Sequence, residues 1–566
     1  MKKQNKAILS VFAVLALFAS CTRAAAPAAG TAKGEADGAQ SSGAYSDIVS
    51  APGEFPIVKA PYTLKVFAAQ PPNIEDFLTN DFTIAYEKKT GVHIEWEIAA
   101  ANTVAEKLNM SLVGGDYADM YIQTGMSKQT ELLYGSQGVF IPLNGLVRKY
   151  APNVVATFEE LPEYKAMCTA PDGNMYSLPN ISTALNICYP AKLWINSTWL
   201  KNLNLAVPAT TEEFYNVLKA FKERDPNGNG SGKSVIPFFA ADNSRSSFVE
   251  YFMNSFIQCN LGSSGFMYVS DDGKVQVAYD KPEWREGLRY IRRLVAEGLI
   301  DPVSFSATQD QLKQIFENPG DMIMGATVWN APSGFMDLNG TKHKNYDTIP
   351  PLTGPKGVRL AVYRPDANVV TGAAVITKAL KNPEVAVRWL DYFYTLQGDL
   401  DMRIGREGIE WRRGKPGELS YAGKPAEWAK LTAIGGAQNH FWSQYGIAQY
   451  VRHDRQASDP DPYSIEGLET RLYQATIQNY VPYTPAKALP SLYFSSSVMR
   501  KINQPLNDVR SYVQEYIVRF ATGDLDLDKD WDNYVAHFKL MGLDDIIAAY
   551  QDAYDSYLKN AGSTGR

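Results

Sequence analysis

Apolar residues near the start of the folded chain switch repeatedly between two spacings. Tyr62-Thr63-Leu64-Lys65-Val66-Phe67 reads as a strand, Thr79 to Lys89 carries helical spacing, and Val92, Ile94, Trp96 and Ile98 alternate with His93, Glu95 and Glu97. A second helical stripe, Val104, Leu108, Leu112 and Val113, ends at Gly114-Gly115, and Asp119 to Ile122 makes a third short strand. This order predicts βαβ units. In such a sheet the binding crevice lies beyond the carboxyl ends of the strands, so the loops beginning near Gln70, Ala101 and Gln123 are expected to face a ligand.

The middle and end of the chain are predicted largely helical. Thr210 and Glu213 have capping-box spacing, with Phe214, Val217, Leu218 and Phe221 on one face. Asp280 to Leu299 repeats the scheme, with Asp280 and Glu283 as the expected box and Trp284, Leu288, Ile291 and Val295 as the stripe. Asn382-Pro383 opens a further helix, and Val509, Tyr512, Val513, Tyr516, Ile517 and Phe520 line a late one.

Ahead of all this stands a different pattern. Met1-Lys2-Lys3 and Lys6 lead into an apolar run from Ala7 to Ser20, too short to span a bilayer, followed by Cys21. Residues 1–20 are expected to be a secretory signal. Leu17-Phe18-Ala19-Ser20 before Cys21 resembles a bacterial lipoprotein box, with Phe18 where Leu is usual, and so implies a lipidated Cys21. Residues 21–60, rich in Ala, Gly, Ser and Pro, are expected to form the lipidated cysteine and a flexible tether reaching on the order of 35 Å.

Composition narrows the class. The chain of 566 residues is too long for one core, and a net charge of -6 without basic clusters argues against nucleic acid. Beyond Cys21 only Cys168, Cys188 and Cys259 remain, which read as buried apolar thiols, with a single Cys168–Cys188 bridge as the alternative. With 33 Tyr and 10 Trp, aromatics are the outlier, which directs attention to stacking sites.

The motifs then combine into a resemblance. Ala151-Pro152-Asn153-Val154, Thr169-Ala170-Pro171-Asp172-Gly173-Asn174-Met175-Tyr176-Ser177-Leu178-Pro179, Leu193 to Leu200, Asp225 to Gly230, Pro350 to Pro355 and Gly405 to Trp411 resemble, in order and spacing, the large solute-binding lipoproteins of bacterial carbohydrate ABC importers. The resemblance implies an α/β fold of two periplasmic-binding-protein-like lobes, hinge strands between them and a helical C-terminal part. It places crossovers near residues 178–189 and 362–373. The first lobe would hold residues 61–180 and about 371–430, the second 181–370 and about 431–560. Closure on a ligand would follow from its contacting both lobes. The implied partners are an oligosaccharide and separate permease and ATPase chains, for a receptor expected to be monomeric.

Sugar rings present apolar faces to aromatic side chains, and their hydroxyls need placed polar groups. By family position Trp329, after the apolar run Met322 to Ala326, is the leading candidate. Trp411 with Glu410, and Trp442, follow because they lie in Gly-rich, aperiodic segments, with packing between helices as the alternative for both tryptophans. Gln123 and Thr124 end the third strand, Asn180 opens the crossover, Tyr189 lies within it, and Arg245 suits an acidic sugar. Asp225, Asn227 and Asn229 have oxygen-bearing side chains at alternate loop positions, with Gly230 next, as a weak structural calcium site needs. Lys233 and Ser234 stand where relatives carry acids, and Ile236 takes the twelfth position; a metal-free Asn-Gly turn is the alternative. No metalloprotease, nucleophile-elbow or phosphate-loop motif occurs. Glu159-Glu160 and Asp271-Asp272 read as solvated charges, so binding without chemistry is the expectation, against a glycan-active enzyme with an aromatic cleft.

Overall fold

The alternation in residues 62–98 folds into two parallel strands paired residue for residue from Tyr62 with Val92 to Gln70 with Ala100. The structure, a computed structural model, describes residues 47–564 apart from 72, 229, 231–234, 243–246, 261–264, 433–435 and 443–446. The signal segment, Cys21, Asn229 and Arg245 lie outside the described residues. In chain order the strands are β1 (Tyr62–Gln70), β2 (Val92–Ala100), β3 (Met120–Ile122), β4 (Ser177–Ser182), β5 (Lys192–Asn196), β6 (Ile236–Phe238), β7 (Met267–Val269), β8 (Val275–Val277), β9 (Met324–Trp329), β10 (Tyr346–Ile349), β11 (Val369–Ile376), β12 (Trp411–Arg413), β13 (Trp428–Lys430) and β14 (Gln449–Val451).

Two sheets organise two lobes. The first has the order β14-β4-β11-β3-β1-β2, the second β10-β5-β9-β6, and β7–β8 and β12–β13 form separate hairpins. In the first sheet β11 runs antiparallel to both β3 and β4, while β1 is parallel to β2 and β3, and β14 is parallel to β4. All strands but β11 therefore end on one edge, and β11 begins there. Each sheet is buried by its own apolar cluster, one around Val66, Ile122 and Leu390, the other around Leu193, Phe221 and Trp284.

The helices follow the periodicity, with one correction. The helix Thr211–Glu223 carries the full capping box of Thr210 and Glu213. The helix Pro282–Ala296 does not use Asp280 and Glu283 in this way: its N-cap is Lys281, without a side-chain cap. Pro282 supplies the preset first turn, Asp280 pairs with Lys281 at 3.0 Å, and Glu283 reaches Lys356 at 3.1 Å. The terminal helix Leu543–Thr564 packs both on the helix Pro162–Cys168 of the first lobe and on β8 and the long helix Ser496–Thr522. Cys168, Cys188 and Cys259 are free and buried, with no bridge between the first two.

Two stretches differ from expectation. Residues 48–58 join the body: Val49 bridges Val58, both are buried with Ile57, and Arg388 donates to the carbonyls of Ala51 and Glu54. Their apolar residues are too few and too spaced to show a period, yet they cover the helix Pro383–Asp391. Residues after about 430 were expected in the second lobe, but β14 completes the first sheet, and Trp442 and Tyr450 sit in its core. A three-residue strand carries too short a pattern to reveal which sheet it joins.

Candidate functional site

The carboxyl edge of the first sheet faces the equivalent edge of the second. The chain leaves the end of β4, crosses through residues 183–191, and enters the start of β5; it leaves the end of β10, crosses through 350–368, and enters the start of β11. Register puts Lys192, the first residue of β5, opposite Trp329, the last of β9, with Ile349 at the end of β10 opposite Leu193. The two crossings meet where the Arg364 N–H donates to the Cys188 carbonyl at 2.9 Å, which brings the two edges toward one another. A third passage, 452–467, leads from β14 to the helix Leu468–Asn479, which packs on β10.

Buried polar atoms without partners gather on the first edge. Gln123 follows β3 with φ 57, a left-handed backbone that costs a non-glycine residue on the order of 1 kcal/mol. Its backbone N–H donates to the Ala373 carbonyl at 3.2 Å, which fixes the turn, while its side-chain oxygen and nitrogen are buried without a hydrogen bond. Thr124 Oγ1, Asn368 Oδ1 and Gln449 Oε1 share that condition. Leaving such an atom unmet costs about 1–3 kcal/mol. Gln123 and Thr124 line a cavity of about 290 Å³ with Ala69, Ala101, Val370 and Thr371. Gly372, at φ 67, lets this wall approach closely, since a Cβ there would fall 2.4 Å from the Met126 carbonyl.

Asn180 sits in the same sheet, opposite Gln449 on one side and Val370 on the other, and is half-buried. Tyr189 lies in the first crossing with its ring 5.1 Å from that of Tyr363 in the second, and its hydroxyl 2.6 Å from Thr484 Oγ1. Trp329 ends β9 at the second edge, but only 4% of it is exposed: its ring packs against Gly334, where a Cβ would meet Nε1, and its carbonyl accepts from Trp194 Nε1 at 2.9 Å. Lys192 beside it is fully buried and donates to the carbonyls of Asn186 and Tyr189. Burial pulls its ammonium down to about 7, with Glu469 among the groups opposing.

The other aromatic candidates are core residues. Trp411 packs with Leu400, Ile404 and Trp428 and donates to the Gly405 carbonyl at 2.9 Å. Trp442 lies among Phe77, Phe82, Trp96, Trp389 and Phe393, with Nε1 donating to Thr83 Oγ1 at 2.8 Å. Aperiodic flanking sequence hid both because the partners that bury Trp442 come largely from residues 77–96 and 389–393. Glu410 is occupied by Arg406, which donates from its backbone at 2.7 Å and from its guanidinium at 2.6 Å. Glu159, Glu160, Asp271 and Asp272 are exposed.

Two members of the calcium triad are described, and both side chains are engaged within the protein, while Asn229 lies outside the described residues. Asn227 turns out of the loop: its Oδ1 accepts from Trp199 Nε1 at 2.8 Å and its Nδ2 donates to the Met322 carbonyl at 2.9 Å. Asp225 accepts from the backbone of Gly228 and Gly230 at 3.0 and 2.7 Å, and Ile236, at the twelfth position, begins β6. Among the described residues no cluster of three His, Cys, Asp or Glu could share a metal.

Missed by sequence reasoning were Asn368, Gln449 and Lys192. Each stands at a strand end, and nothing local distinguishes it before the strands are brought into register.

Residues 59–398 match the family of bacterial extracellular solute-binding proteins. The chain is 29% identical over 492 residues to the fructooligosaccharide ABC transporter substrate-binding protein FusA of Streptococcus pneumoniae, covering 84% of this chain and 86% of that protein. The solved structure of FusA with kestose aligns at a TM-score of 0.67 and 27% identity over 88% of this chain and all (100%) of that one; an EF-hand mutant of FusA aligns equally well. A human-milk-oligosaccharide-binding protein of Bifidobacterium longum infantis shares the fold at a TM-score of 0.72 and 20% identity, over 88% of this chain and 99% of that chain.

Proposed function

The chain belongs to the bacterial extracellular solute-binding protein family, and from that premise we propose that it is the receptor of an ABC importer, capturing an oligosaccharide between its two lobes and presenting it to membrane permeases. The observation that carries this reading is the pair of facing sheet edges, one of them bearing buried and unmet donors and acceptors at Gln123, Thr124, Asn368 and Gln449. A hydroxyl-rich ligand supplies the groups those atoms lack, and a ligand touching both edges favours the closed lobes by its differential affinity. FusA, the relative with 29% identity, is named for fructooligosaccharides, which supports a short oligosaccharide as the cargo.

In this reading Gln123, Thr124 and Asn180 contact the ligand from the first lobe, and Trp329 bounds its space from the second. Tyr189 positions the crossing. The carboxylate pairs Glu159-Glu160 and Asp271-Asp272 are exposed, as solvated charges are, which supports binding and release as the whole mechanism. Calcium is not required in it, because Asn227 is engaged elsewhere. No helix among the described residues is long and apolar enough to cross a membrane. The same reading gives a monomeric body held by acyl chains on Cys21, working with permease and ATPase subunits on separate chains. Metabolic palmitate labelling of wild type and Cys21→Ala tests the anchor, and label retained by the variant removes it.

The central test is titration calorimetry against kestose, nystose and other short oligosaccharides. Saturable binding without product formation is the expected result. Turnover of the sugar overturns the receptor reading, and no binding to any sugar overturns the carbohydrate assignment.

A further inference from the structure

Glu469 stands in the first turn of the helix Leu468–Asn479, where its own helix dipole favours negative charge. It is half-buried, yet its carboxylate forms no hydrogen bond and no ion pair with any described residue. Lys430, the last residue of β13, is equally unpartnered and half-buried. The two come from opposite sides of the cleft. The Glu469 helix packs on β10 and on the crossing turn Leu185–Cys188, whereas β13 belongs with Leu400 and Trp428 beside the first sheet.

Neighbouring contacts join these sides. Tyr421 and Tyr473 meet at 5.3 Å between ring centres, and Ser458 Oγ lies 3.3 Å from Thr470 Oγ1. Burial pushes Glu469 up while Lys430 and Lys192 oppose it, so the carboxylate lies within electrostatic reach of both lysines. Lys192, at the second edge, is already committed to two backbone carbonyls. His453, two residues past β14 at the first edge, has Lys430 and Arg403 as its nearest charges. Glu469, next to Thr470 at the end of the third passage, thus lies where the second-lobe helix meets the segment that comes from the first sheet. Charged side chains that stay half-buried without a pairing partner are costly unless another group meets them.

Resting on the oligosaccharide reading above, we propose that Glu469 is a specificity-determining residue of the cleft, accepting hydrogen bonds from two adjacent hydroxyls of a neutral sugar while Lys430 donates beside it. A carboxylate has two oxygens and can accept from both members of a vicinal diol. The same negative charge disfavours a uronate at this position, because Lys192 is spent on the backbone and Lys430 already faces the Glu469 carboxylate, which leaves a second carboxylate without a countercharge.

The test is calorimetry of wild type, Glu469→Gln and Lys430→Met with kestose, nystose and a mannuronate trimer. The expected result is wild-type binding of a neutral sugar over the uronate, and affinity weakened roughly tenfold or more in Glu469→Gln and severalfold in Lys430→Met. Melting curves within about 2 °C of wild type establish that the variants are folded; if Glu469→Gln fails this control, Lys430→Met carries the decision. Unchanged affinity in a folded variant, or tighter binding of the uronate by wild type, overturns the assignment while leaving the receptor intact. Wild type that binds no sugar overturns the oligosaccharide reading, and this assignment with it.

Discussion

The Ser177 hydroxyl donates a 2.6 Å hydrogen bond to the Glu131 carboxylate, and neither residue reaches solvent. Ser177 opens β4, the strand that leads into the first crossing, and its oxygen accepts from the backbone of Gly372 in β11 at 2.9 Å. Tyr493, on the segment before the long C-terminal helix, reaches the same carboxylate at 3.4 Å, and Lys128 donates to the Met167 and Ser491 carbonyls at 2.8 Å. Strands next to two crossings thus share one buried acid.

That acid makes stability depend on pH. Burial pushes Glu131 up from 4.5 to about 7, with Ser177 and Lys128 opposing. Because the folded value lies above the unfolded one, the contribution is present in full below about 4.5 and is lost as pH rises toward about 7, on the order of 3 kcal/mol across the range. Glu131→Gln, which stays neutral, is expected to gain stability relative to wild type as pH rises from about 5 to 8. Denaturant titrations across that range check it, and a difference that does not vary with pH sinks it.

Gln123 combines backbone strain with unmet side-chain atoms. Gln123→Gly should raise stability by about 1 kcal/mol by relieving the left-handed backbone, and weaken sugar binding by roughly tenfold by removing the carboxamide. Thermal melts paired with calorimetry read both. Losing stability and keeping affinity is the outcome that removes Gln123 from the site.

Trp442 is predicted to behave as core. Trp442→Ala should cost about 3–5 kcal/mol through the cavity left among five aromatic neighbours. Trp442→Phe, which keeps much of the volume, should bind ligand as wild type does. A folded Trp442→Phe protein with lost affinity contradicts the structural placement.

Metal removal should change nothing. EDTA, or added calcium, is expected to leave the melting temperature unmoved, whereas Asn227→Ala should cost about 1–2 kcal/mol equally in both conditions, because it breaks bonds to Trp199 and Met322. A calcium-dependent shift in wild type defeats the account of this loop.

The three thiols give a check on packing. Burial pushes Cys168 and Cys188 up to about 12 and Cys259 well above its usual value. A thiol-disulfide reagent should therefore label none of them in the native protein at neutral pH and all three after denaturation. Rapid native labelling of any one shows a more open lobe.

The sequence by itself determined the local elements and the family. Period-two alternation specified β1 and β2, and the box at Thr210 and Glu213 specified a helix, because both signals act between neighbours a few residues apart. The motifs from Ala151 to Trp411 named the two-lobed class for the same reason. Only the tertiary structure decided which strand ends face one another, that Trp411 and Trp442 point inward, and that Asn368, Gln449 and Lys192 stand buried at strand ends. Those relations join residues hundreds apart in sequence, and they are set by sheet register and by which surfaces are left to bury, neither of which is encoded in any short stretch of the chain.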